Sequence, residues 1–117
     1  EFVDKLDQNA GRVLSQAERA NLVSALGSTP DDLSKRASVL RQVAENPALK
    51  ASESNRAFVL MQFFGYLRRN PDDAPDSDYT GYNFWLSKLE QFGGDFQKAE
   101  LVKAFISSAE YRQRFGQ

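Results

Sequence analysis

The chain has 117 residues, 41% of them apolar and 26% charged, with a formal net charge of −1. That is one domain of ordinary size, and its balanced charge argues against nucleic-acid binding by phosphate neutralisation, which calls for a basic excess. Cysteine and histidine are both missing; this excludes disulfides, thiolate zinc sites, Ser-His-Asp triads and Cys-His dyads, and leaves carboxylates as the only route to acid–base catalysis.

The apolar residues recur with helical period along the whole chain, and no alternating strand pattern is found, so the predicted fold class is all-α, a compact multi-helix bundle. Phe2, Val3 and Leu6 start a first helix that ends near Gly11. Ser15-x-x-Glu18 is a capping box for a second, with Leu22, Val23 and Leu26 on its apolar side and Gly27 as its terminator. Thr29-Pro30-Asp31-Asp32 opens a third. Its predicted buried face is Leu33, Ala37, Leu40 and Ala44, with Val39 and Val43 beside them. Asn46-Pro47 ends that helix and begins one more turn through Leu49.

Ser52 or Ser54 is expected to open the longest helix, which reaches about Arg69 and is apolar at Ala57-Phe58, Met61, Phe64 and Leu67. Gly65 within it suggests close approach of another helix. A loop with two prolines, Asn70 to Asp78, follows. A helix from about Tyr79 then carries Tyr82, Trp85, Leu86 and Leu89 to a stop at Gly93-Gly94. Asp95 caps a helix with Phe96, Ala99, Val102 and Phe105-Ile106 on one face, and Ser107-x-x-Glu110 reads as a second capping box before Tyr111 and Phe115. No apolar run is long enough to span a membrane, so membrane insertion is not expected. The start at Glu1, inside an apolar pattern, suggests a piece of a larger protein.

The two halves can be laid over each other. Phe2-Val3 matches Phe58-Val59, and Leu22-Val23-Ser24 matches Trp85-Leu86-Ser87. Arg36 to Leu40 matches Lys98 to Val102, and Pro47 to Lys50 matches Ala109 to Arg112. The pattern reads as two related helical units in tandem, residues 1–51 and 52–117. Of the nine Phe, four Tyr and one Trp, only Phe2 precedes Phe58. An aromatic stripe at helical spacing is ordinarily core; the alternative is a ligand groove lined by Trp85 and the tyrosines.

One segment has ligand-like chemistry. Asp76-x-Asp78-x-Thr80-Gly81 resembles the start of a calcium loop, but the twelfth position is Ser87 where an EF-hand has a bidentate Glu. Two readings remain. A looser calcium site could use Asp72, Asp73, Asp76 and Asp78. Alternatively, Asp78 or Thr80 caps the next helix and the other acids are solvated. Glu90, Asp95, Glu100 and Glu110 are accounted for as surface or capping residues, so no catalytic residue is assigned and no enzyme is expected. Gly93-Gly94 lacks the Lys-Ser/Thr and strand of a phosphate loop. Arg68-Arg69 and Arg112 with Arg114 are the short basic candidates; they read as carbonyl-capping surface residues, and nucleic acid is not an expected partner.

Phe58-Val59 through Phe63-Phe64-Gly65-Tyr66-Leu67-Arg68-Arg69, a Pro/Asp loop, Gly81 to Ser87, Lys98 to Phe105, and Ser107-Ser108-Ala109-Glu110-Tyr111-Arg112 up to Phe115-Gly116 resemble the bacterial family catalogued as domain of unknown function four-two-one-four. The resemblance implies an all-helical domain, similar to phycobilisome linker-type domains, in large exported or cell-surface proteins. The longer loop Asp72 to Asp78 departs from that pattern. The expected function is a non-catalytic helical module with a structural or protein-interaction role, engaged in self-assembly or with a protein partner through Tyr79, Tyr82 and Phe92. The alternative is a calcium-stabilised ligand-binding module on loop 72–80. Apart from that calcium, no cofactor is expected.

Overall fold

Seven α-helices and one π-helical turn account for the regular structure in the computed structural model, which describes residues 1–116; among them there is no strand. The helices are α1 (Phe2–Asn9), α2 (Gln16–Leu26), α3 (Leu33–Ala44), α4 (Pro47–Gln62), α5 (Thr80–Gln91), α6 (Leu101–Ile106) and α7 (Ala109–Phe115), with the π-turn at Phe63–Leu67 after α4. The fold is all-α, as the periodicity predicts. The chain divides into two compact units, Glu1–Ser52 and Glu53–Gln117.

In the first unit, Ser15 and Glu18 form the reciprocal capping box at the start of α2, and Gly27, at φ 58°, ends it. Asp32, rather than Thr29, is the N-cap of α3, its side chain accepting from the Lys35 amide at 3.0 Å. The core is Val3, Leu14, Leu22, Leu26, Val39 and Val43, flanked by Phe2, Leu6, Ala10 and Leu49. The buried face of α3 is therefore not the predicted one. Leu33 and Leu40 are 80% and 51% exposed, and Ala37 and Ala44 also face out. The sequences 33/37/40/44 and 39/43 are both helical stripes about one residue apart, and local periodicity does not rank them. Val39→Ala is expected to cost about 2 kcal/mol and Leu40→Ala less than about 0.5 kcal/mol. Equal costs in urea unfolding would restore the predicted face.

Asp7 is a buried carboxylate at the centre of this unit. Its Oδ1 accepts from the Leu14 amide at 3.0 Å, and Arg19 Nε lies 3.8 Å from Oδ2. It ties the α1–α2 connection to α1, satisfying a backbone donor that the turn would otherwise bury unpaired.

The longest helix starts at Pro47, not at Ser52 or Ser54. Asn46 Oδ1 accepts from the amides of Ala48 and Leu49 at 2.9 and 3.2 Å, and Pro47 takes the first helical position. The serines lie inside a run of good helix formers and do not interrupt it. The α-helix also stops earlier than expected, at Gln62, where the π-turn begins; Arg68, left-handed at φ 57°, closes it. Val59, Phe63 and Leu67 are buried, while Met61 and Phe64 are 64% and 46% exposed. No atom lies within 4 Å of where a Gly65 Cβ would sit, so this glycine marks no close approach.

The second unit's core is Val59, Phe63, Leu67, Leu89, Ala99, Leu101 and Phe105, ringed by Phe58, Tyr66, Tyr82, Trp85, Leu86 and Tyr111. Gly93 and Gly94, at φ 63° and 84°, turn the chain after α5. Asp95 caps a turn by accepting from the Gln97 and Lys98 amides, both at 3.1 Å. The predicted continuous helix from there is broken: Glu100 is left-handed at φ 52°, and α6 starts only at Leu101. The break brings Ala99, Leu101 and Phe105 inside and leaves Phe96 and Ile106 40% and 42% exposed.

The two cores use matching positions. Val3 and Val59, Leu26 and Leu89, Val39 and Leu101, and Val43 and Phe105 are all buried. Asn46 and Ser108 are N-caps, and Arg12 and Arg68 are both left-handed.

Candidate functional site

The acidic loop is organised by Arg69, a residue with only 8% exposure. Its Nε donates to Glu110 Oε1 at 2.6 Å. One terminal nitrogen donates to the carbonyls of Asn70, Pro71 and Asp73 at 3.0, 3.2 and 3.0 Å. The other donates to Asp76 Oδ2 at 2.7 Å and Glu110 Oε2 at 3.1 Å. The guanidinium also lies over the Phe63 ring, 5.3 Å from its centroid. Arginine has five N–H donors in a rigid fork, and all five nitrogen-bound hydrogens are used here. The hydrogen bond from Glu110 holds Arg69 above the ordinary arginine value; burial opposes this and Asp76 reinforces it.

This geometry revises two sequence expectations. Arg69 is not a surface cap. Glu110 is not the second half of a capping box: Ser108 is the N-cap of α7, its Oγ accepting from the Tyr111 amide at 3.1 Å, and Glu110 reaches Arg69 instead. Forty-one positions separate Arg69 from Glu110, so no local spacing signals the pair.

The four loop aspartates have separate engagements. Asp76 pairs with Arg69. Asp73 Oδ2 accepts from the Asn70 amide at 2.9 Å. Asp78 Oδ1 accepts from the Thr80 amide at 2.9 Å, which keeps its carboxyl below the ordinary aspartate value. Asp72 is exposed. Among the described residues, no group of three or more acidic side chains is placed to hold a metal ion.

Beside the Arg69 junction lies an open hollow of about 260 Å³, with Phe63, Trp85 and Phe105 as aromatic wall and Asp76, Gly81 and Glu110 at its rim. Phe63 meets Phe105 edge-on at 5.1 Å between centroids, and Trp85 lies 5.7 Å from Phe105. Lys88 Nζ stands 5.3 Å from the Trp85 ring centroid. Of the three aromatics read as partner-binding, Tyr79 and Phe92 are 49% and 39% exposed. Tyr82 is half-buried against the core, and its hydroxyl donates to the Arg56 carbonyl at 3.2 Å. Burial raises the Tyr82 phenol above its ordinary value.

The family model described as Domain of unknown function (DUF4214) matches residues 37–115. The chain belongs to this family. The DUF4214 match begins within α3, upstream of the segment whose motifs carry the resemblance, and takes in the whole Arg69 junction and the aromatic hollow. No curated protein and no solved structure matches the chain. Among the described residues, no helix is long and apolar enough to cross a membrane.

Proposed function

We propose that this DUF4214 chain is a non-catalytic helical module that works by protein–protein contact within an exported or cell-surface bacterial protein. The observation that carries this reading is the set of large apolar side chains left in water on the second unit. Phe84 is 59% exposed, Met61 64%, Tyr79 49% and Phe64 46%, with Phe92 and Phe96 close to 40%. Aromatic residues and Met are enriched where proteins meet, and their exposure costs solubility unless a partner covers them. The acids best placed for chemistry, Asp76 and Glu110, are both committed to Arg69, which serves the architecture of the loop. The lack of His and Cys agrees with a role without catalysis.

A photo-reactive amino acid at Phe84 in the intact parent protein tests this. The expected result is a discrete cross-linked protein product that disappears when Tyr79 and Phe92 are changed to Ser. A Phe84 position yielding no more product than one at exposed Arg41 would overturn the reading.

A further inference from the structure

We propose that the hollow beside Trp85 receives the cationic head of a lysine or arginine side chain from a partner protein. The inference rests on the protein-contact reading above and specifies its chemistry. A volume of about 260 Å³ lies below the range of roughly 300–1,000 Å³ usual for small-molecule pockets and suits the head of one long side chain.

The polar groups at the rim can only accept. Arg69 has spent its donors on Asp76, Glu110 and three carbonyls. Ser108 Oγ donates to the Phe105 carbonyl at 2.7 Å and accepts from Tyr111, so its hydrogen is also committed. Asp76 Oδ1 takes no hydrogen bond among the described residues, and each Glu110 oxygen takes one. Two carboxylates face one guanidinium, so the rim carries an excess of one negative charge. A neutral sugar or amide would want donors as well as acceptors, whereas an ammonium or guanidinium offers donors alone. The wall completes the match, because the faces of indole and phenyl rings attract cations. The chain's own Lys88 already uses the Trp85 ring in this way. Gly81 keeps the mouth open: a Cβ there would lie 3.7 Å from Asp76 Oδ2 and 4.0 Å from Phe63 Cζ.

Trp85 is the chain's one tryptophan, so its fluorescence reports binding directly. The probes are Nα-acetyl-lysine N-methylamide, Nα-acetyl-arginine N-methylamide, the neutral Nα-acetyl-citrulline N-methylamide, and spermidine as a free polyamine. Saturable binding of the lysine and arginine probes is expected, with citrulline at least tenfold weaker. Asp76→Asn should weaken the cations several-fold. Gly81→Leu fills the mouth without touching a charge; it should weaken them at least tenfold while leaving the far-UV circular dichroism unchanged. Citrulline within threefold of arginine, or a folded Gly81→Leu protein with undiminished affinity, would overturn the site. Spermidine binding tenfold tighter than the lysine probe would overturn the assignment to a partner's side chain. Failure of the Phe84 cross-link with cation binding intact would remove the protein-contact reading and leave the cation site.

Discussion

Arg69→Ala is expected to destabilise the protein by about 3–5 kcal/mol, the range for removing one partner from a buried, hydrogen-bonded ion pair. The loss has two sources. Glu110, with a side chain only 22% exposed, keeps its charge without its counter-ion. The carbonyls of Asn70, Pro71 and Asp73 lose their shared donor, and the loop loses its fixed course. Asp76 is 40% exposed, so Asp76→Asn should cost about 1 kcal/mol or less after solvent screening. Arg69→Lys restores the charge but not the planar fork, and should recover only part of the stability. Urea unfolding at constant slope measures all three. An Arg69→Ala cost equal to that of Asp76→Asn would show that the loop holds its shape without the guanidinium.

Phe105→Ala should cost a similar amount, about 3–5 kcal/mol. The ring is 4% exposed and stands between Phe63 and Trp85, so its removal leaves a cavity where two aromatic contacts converge. Its neighbour Ile106 is 42% exposed, and Ile106→Ala should cost less than about 1 kcal/mol. Trp85 fluorescence is expected to shift to longer wavelength in Phe105→Ala as water reaches the ring, and to stay unchanged in Ile106→Ala. Equal costs for the two variants would place the core on the other side of α6.

Local rules were sufficient wherever a side chain meets its own backbone. The Ser15–Glu18 box, the stop at Gly27, the Asp95 cap and the turn at Gly93-Gly94 each involve residues within a few positions of one another, and all are legible in the sequence. The aromatic core around Leu89 and Trp85 was also legible, because α5 has a single apolar face. The candidate site was legible only in its parts. Trp85 and the acidic loop stood out, but their meeting on Arg69 and Glu110 did not.

The sequence by itself determined that this protein is all-α, which family it belongs to, and where most of its helices start and stop, because capping, turn chemistry and period are short-range. Only the tertiary structure decided which of two adjacent stripes α3 buries, that Phe63–Leu67 widens into a π-turn, and that α6 waits until Leu101. It also decided that one carboxylate, Asp7, and one guanidinium, Arg69, go inside. Burying a charge is costly unless distant partners converge on it. That convergence depends on how the helices pack, and packing is not written into any local stretch of the chain.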